Sequence, residues 1–209
     1  MSDNTDLLIE KLVASHRAVT PFSPAPILLL SVMLLSAVAA LFVLPLGIRT
    51  EWGAAALLKT GTLLLLTLTM LNLTLQLSGP QQVNWRQARG FWLLLLLSIG
   101  FLMGFTLQAP ALSVSQATGV PSFWGCVSWV GFMGGGALLV LLRMFRRARP
   151  AQRQRLALAL SCCAALLAAS IYSLHCTVDA VSYLLTAYLL AVMLIVLSGW
   201  LCSRQLWHW

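Results

Sequence analysis

Two cysteines, one histidine and one carboxylate are the residues of this 209-residue chain whose types and placing could do chemistry. Cys176 lies in Leu174-His175-Cys176-Thr177-Val178-Asp179, and Cys126 ends Ser122-Phe123-Trp124-Gly125-Cys126. A thiolate is a nucleophile, a redox centre and a ligand for soft metal ions, and a neighbouring imidazole or carboxylate can tune it. Three uses are open to the pair: a structural disulfide, two inert thiols too far apart to meet, or an accessible sensing pair assisted by His175 and Asp179. Cys126, Cys176 and His175 are the candidate ligands for a regulatory soft metal ion such as zinc, cadmium or copper(I), although no CxxC spacing supports a preformed site. Cys162, Cys163 and Cys202 fall within apolar runs, where compact packing is the usual role of cysteine.

Catalysis finds no other foothold. The chain has no HExxH, no phosphate-cradling glycine loop and no dinucleotide fingerprint, and every acidic residue except Glu51 and Asp179 lies in the N-terminal tail. It reads as a non-enzyme without a resident cofactor. A membrane thiol/disulfide redox protein or a small membrane transporter is the alternative from another class. The polar series Thr60, Thr62, Thr67, Thr69, Asn72, Thr74 and Gln76 would be the only candidate path.

The elements that must position these residues follow from composition. Apolar residues make up 60% of the chain and charged residues 9%, whereas soluble domains carry roughly a quarter charged residues. Apolar runs cover about Pro26 to Leu46, Ala54 to Leu77, Phe91 to Leu107, Val127 to Phe145, Leu156 to Leu174 and Val181 to Leu201. Each approaches the roughly 20 residues that span hydrocarbon as helix. The runs are continuously apolar rather than alternating, which excludes a barrel. The expected fold is therefore all-α and polytopic, with six transmembrane helices in sequential antiparallel hairpins over 26–209 and a tail over 1–25. Ala37-Val38-Ala39 resembles a signal cleavage site, but the hydrophilic tail before it favours an uncleaved first helix.

Charge supplies the orientation. Of thirteen Lys and Arg residues, all but Arg49 and Lys59 fall in the two tails or in the connectors holding Arg86 and Arg89 and holding Arg143 through Arg155. Basic loops stay in the cytoplasm, so both termini are expected there, with Cys126 and Cys176 on the outer, oxidising side. The +8 balance is thus a topology signal rather than a nucleic-acid footprint, and the Arg143 to Arg155 connector suits anionic lipid. Trp52, Trp124 and Trp129 fall at the outer boundary, and Trp85, Trp92, Trp200, Trp207 and Trp209 at the inner one. Lys59, about one turn below the outer boundary, is expected to snorkel to the headgroups, a buried ion pair being its other reading. The hydroxyls of the second run suggest an interior helix, and Gly100-x-x-x-Gly104 and Gly131-x-x-x-Gly135 suggest close helix packing.

Asp3 to Asp6 suit a helix start, and a short helix over about Thr5 to Val19 is predicted. Leu8, Ile9, Leu12, Val13 and His16 form one stripe on it, with Arg17 near its end, and these six are the candidate partner-binding residues. The stripe fits a bilayer surface, the underside of the bundle or a protein groove. Thr20-Pro21-Phe22-Ser23-Pro24-Ala25-Pro26 then favours an extended linker.

The amphipathic tail, the Leu-rich spans, Cys126 at a helix boundary and Leu174-His175-Cys176-Thr177-Val178-Asp179 together resemble the NrsF family of bacterial inner-membrane anti-sigma factors. The resemblance covers essentially the whole chain. It implies that the tail, about Asp3 to Val19, holds an extracytoplasmic-function sigma factor away from RNA polymerase. It also implies that Cys126 and Cys176 affect release under metal or oxidative stress. The expected partners are that sigma factor and membrane lipid, without direct nucleic-acid binding.

Overall fold

A computed structural model of the protein describes residues 10–11, 13, 24–79, 89–110, 112–145 and 152–206. Among these, every regular element is helical: α1 (Pro24–Leu46), α2 (Ala54–Leu77), α3 (Arg89–Gln108), α4 (Val114–Thr118), α5 (Ser122–Phe145) and α6 (Arg153–Ser173). A last helix begins as α7 (Val181–Tyr183), passes through a π-helical turn (Leu184–Tyr188) and continues as α8 (Leu189–Leu206).

Among the described residues five helices are long and apolar enough to cross a membrane, where six were expected: Ala54–Leu77, Arg89–Gln108, Ser122–Phe145, Arg153–Ser173 and Val181–Cys202. The run expected over 26–46 falls in α1, where only the shorter stretch Leu29–Leu41 stands out as apolar. The connector between α3 and α5 contains the unanticipated α4. Its start is held by a capping box in which the Ser113 hydroxyl accepts from the Gln116 amide and the Gln116 side chain accepts from the Ser113 amide.

The centre of the bundle is α6, which packs against α2, α5 and α8, while α3 lies against α2 and α1 lies chiefly against α5 and α6. The buried positions of α6 are mostly small: Ala157, Ala159, Ser161, Cys163, Ala164, Ala165, Ala168, Ala169, Ser170 and Ser173. Small side chains let neighbouring backbones approach, and that gain in dispersion contact is what drives helix association where lipid is as apolar as leucine. Helix α2, expected inside for its hydroxyls, is less central. Thr62, Thr67, Thr69 and Thr74 each donate to the carbonyl four residues earlier at 2.7 or 2.8 Å, so they need no neighbouring helix or aqueous path. Thr67 and Ser170 additionally meet at 3.0 Å, and Ser173 donates to Thr60 at 3.1 Å, stitching α2 to α6.

Of the spacing-of-four glycines, Gly104 faces Leu58 of α2, an added Cβ lying 3.5 Å from it, whereas Gly100 and the α5 pair do not make the contacts expected of them. Cβ atoms at Gly131 and Gly135 would have nothing within 4 Å, because that face of α5 lines an apolar groove with Leu35, Ala39 and Ile171. Gly134, one position away, is the close approach: its Cβ would lie 3.4 Å from the Ala165 Cα. In α8, a Cβ at Gly199 would overlap the Ser161 hydroxyl and stand 2.9 Å from the Ser161 Cβ. Ser161 cannot easily turn away, since its hydroxyl donates to Ala157 at 2.7 Å within the buried face of α6.

Gly199→Ala is therefore expected to destabilise the bundle by roughly 1–3 kcal/mol. Gly131→Ala and Gly135→Ala should stay within about 0.5 kcal/mol of wild type. Reversible unfolding of the detergent-solubilised protein measures all three.

Candidate functional site at one end of the bundle

The α6–α7 turn and the α1–α2 connector meet at the same end of the bundle. Gly47 has φ +84°, a left-handed conformation that glycine takes without Cβ strain, and it redirects the chain as α1 ends. The connector then lies along the turn: the Arg49 amide donates to the Leu174 carbonyl at 3.0 Å. His175 Nδ1 lies 2.7 Å from the Gly47 carbonyl. A carbonyl can only accept, so Nδ1 carries the proton. The turn itself is pinned to α6 by the amides of His175 and Cys176, both donating to the Tyr172 carbonyl at 3.0 and 3.1 Å.

Three charged side chains close this junction. The Arg49 guanidinium takes Asp179 in a fork, Nη1 to Oδ1 at 2.9 Å and Nη2 to Oδ2 at 2.7 Å, and Lys59 Nζ reaches Oδ1 at 2.7 Å. Lys59 also donates to the carbonyls of Cys176 at 3.1 Å and Val178 at 3.0 Å, so its three protons have three acceptors. Arg49 donates to the Cys176 carbonyl as well, at 3.1 Å, and through Nε to the Glu51 carbonyl at 2.8 Å. Its guanidinium stands 5.6 Å from the Trp52 ring. The side chains of Arg49, Lys59 and Asp179 are only 6, 1 and 15% exposed.

Lys59 therefore does not snorkel. Its ammonium has a counter-ion and two carbonyl dipoles within the protein, which replace the water it would otherwise seek. Burial acts to raise the Asp179 carboxyl, but the hydrogen bonds and charges of Arg49 and Lys59 outweigh it and hold the group below its ordinary value. The Asp179 bond correspondingly raises Arg49, against the opposing effect of burial.

Both thiols are free and buried rather than accessible, Cys126 at 0% and Cys176 at 5% exposure. They share one cluster with Phe123, Ala117 and all three tyrosines of the chain, Tyr172, Tyr183 and Tyr188. The Tyr183 hydroxyl donates to the Ser122 carbonyl at 3.2 Å, tying the last helix to the start of α5. The Tyr188 hydroxyl is buried with no oxygen or nitrogen partner among the described residues, and both thiols are its electrostatic neighbours. Residues five apart on an ideal α-helix point about 140° away from each other. The π turn, in which the Leu189 amide donates to Leu184, instead allows the rings of Tyr183 and Tyr188 to stand 6.3 Å apart on one face.

The four residues singled out from the sequence are thus gathered at one junction, but in two different roles. Cys126 and Cys176 belong to the buried cluster. His175 is bonded to Gly47 and Asp179 is the counter-ion of two cations, so neither is turned to a metal alongside the thiols. Among the described residues no three of His, Cys, Asp and Glu gather as a metal-holding group. Of the tail candidates, Val13 is described, helical and exposed. Leu8, Ile9, Leu12, His16 and Arg17 lie outside the described residues. Sequence reasoning missed Arg49 and the three tyrosines. A signal for Arg49 existed: no acidic residue other than Asp179 follows Glu51, and only Arg49 and Lys59 break the basic pattern.

Among known proteins, a family model described as NrsF, negative regulator of sigma F, matches residues 12–209. No curated protein and no solved structure matches the chain.

Asp179→Asn would leave two buried cations without a counter-charge and is expected to cost about 3–5 kcal/mol of stability, read from unfolding in detergent micelles. The pH dependence has a defined sign. A depressed carboxyl contributes stability that is complete above its ordinary value of 3.8 and is lost as pH falls through the lower native value. Between pH 5 and 8 this group should leave the unfolding temperature unchanged. Below about pH 4 the wild type should lose stability that Asp179→Asn has already lost.

Proposed function

The chain belongs to the NrsF family of negative regulators of sigma F, and from that membership we propose that it is an anti-sigma factor of the bacterial inner membrane. Its cytoplasmic N-terminal tail sequesters an extracytoplasmic-function sigma factor. Periplasmic metal or oxidative stress, registered at Cys126 and Cys176, releases it. The family's role is regulation rather than catalysis, in line with the lack of a catalytic constellation in the sequence.

The observation that carries this reading is the match over nearly the whole chain, joined to a charge distribution that assigns sides. Basic connectors are retained on the cytoplasmic side, which would put the Arg-rich connectors against anionic cytoplasmic lipid. The arrangement of the ion cluster supports the same orientation. The two basic residues that fall on the outer side are the two whose charges Asp179 meets, so neither stands there as an isolated cation. Glu10, Lys11 and Val13 are helical and exposed, which supports a tail helix free to dock. On it, Leu8, Ile9, Leu12 and Val13 would insert into an apolar groove of the sigma factor, with His16 and Arg17 beside it. Holding the factor at the membrane keeps it from RNA polymerase. That confinement is the physical content of the inhibition.

Leu8→Asp with Leu12→Asp is expected to raise transcription from a sigma-dependent reporter at least ~10-fold without stress, with the protein still inserted in the membrane. Unchanged repression would reject tail docking. Cys126→Ser with Cys176→Ser should repress normally but lose induction by metal or oxidant; a normal response in that variant would remove the thiols from signalling.

A further inference from the structure

We infer that Arg49, Lys59 and Asp179 form a latch that holds the Cys176 turn closed, and that opening it carries a change at the thiols to α1 and α2. The inference rests on the proposed function for what the motion ultimately controls. The latch itself stands on the geometry of the junction.

The decisive atom is the carbonyl oxygen of Cys176. It accepts from Arg49 Nη1 at 3.1 Å and from Lys59 Nζ at 3.1 Å, so both cations converge on the backbone of the residue that bears the thiol. The Cys176 amide is fixed to Tyr172 at 3.1 Å, and the thiol is buried beneath. Residue 176 therefore has no slack. A change that enlarges or displaces its side chain must also shift a carbonyl held by two charged donors. Once that carbonyl moves, Lys59 retains only the Val178 carbonyl and a carboxylate shared with Arg49.

Two properties make the junction a switch rather than a hinge. Buried ion pairs tolerate partial separation poorly, because a half-broken pair leaves desolvated charge uncompensated; the stable alternatives are closed or open to water. The anchors also belong to different parts of the bundle. Lys59 sits in α2, Arg49 and Gly47 in the connector that leaves α1, and Asp179 at the entry to the last helix. Opening the junction frees the end of α1, and α1 leads back along the chain to the N-terminal tail. The path from thiol to tail is thus a run of covalently and electrostatically joined segments, with the latch as its two-state element.

The test uses the full chain in native membranes. Lys59→Met removes both lysine bonds to the turn but leaves the forked Arg49–Asp179 pair neutral and intact, so it should remain folded. Arg49→Gln is the companion variant, leaving Lys59 on Asp179, and carries the test if the first fails to accumulate. Intact cells are treated with a membrane-impermeant maleimide, modification of Cys176 is timed by peptide mass, and the reporter is read without stress. Lys59→Met is expected to label at Cys176 at least ~10-fold faster than wild type and to derepress the reporter. Labelling at the wild-type rate in both variants overturns the latch. Faster labelling with full repression, in a strain where the Leu8 and Leu12 substitutions do derepress, overturns the coupling. If those tail substitutions leave repression intact, the anti-sigma reading falls separately. The latch is then upheld by faster labelling and overturned by unchanged labelling.

Discussion

One carboxylate between two buried cations is the constraint around which this end of the molecule is built. In apolar surroundings an ammonium or guanidinium must find a counter-ion and acceptors for its remaining protons, or it will not stay there. Asp179 is the sole acidic residue after Glu51, so Arg49 and Lys59 have to share it. Sharing leaves one positive charge over, and the carbonyls of Cys176, Val178 and Glu51 absorb it by accepting the protons that Asp179 cannot. That requirement fixes the turn: its carbonyls must point at α2 and at the connector, which is possible only while Gly47 redirects the chain after α1 and His175 is bonded to it. The thiol of Cys176 faces into the tyrosine cluster as a consequence of where its carbonyl is held.

The rest of the bundle gives this junction a firm base. The small residues of α6 let α2, α5 and α8 approach a common axis, and Gly134 and Gly199 admit the closest neighbours. The threonines of α2 satisfy themselves along their own helix, which leaves the Lys59 ammonium as the strongly polar contact from α2 to the turn. The apolar interior below is thus formed by shape and dispersion, while the end above it is formed by charge. The two regimes meet at the cysteines. A perturbation there acts on the part of the structure where the energy is concentrated in few, directional contacts.

Much of this was legible in the sequence. Uninterrupted apolar runs specify helices regardless of tertiary detail, and the span boundaries with the distribution of Lys and Arg put Cys126, Cys176, His175 and Asp179 at one end. The match over residues 12–209 agrees with the family resemblance carried by the Leu174 to Asp179 motif. What stayed hidden depended on azimuth rather than depth. Counting residues from a boundary places Lys59 one turn down but does not say which face it occupies, so depth alone favours snorkelling and the buried pair goes unseen. The glycine spacing in α5 named a face without its partner, and the contact went to Gly134 instead. Tyr183 and Tyr188 would diverge on a regular helix, so only the π turn brings them together. Asp179 stands beside a thiol in the sequence while its cations lie 120 or more residues earlier, and nothing local pairs them.

Lys59 and Asp179 depend on each other through direct contact. A double-mutant cycle on unfolding free energy in detergent micelles addresses it without reference to signalling. With Lys59→Met, Asp179→Asn and their combination, the double variant should be more stable than Asp179→Asn alone, since removing the lysine relieves one unmatched buried cation. Strictly additive losses, with the double variant the least stable of the set, would mean that the two side chains do not depend on each other.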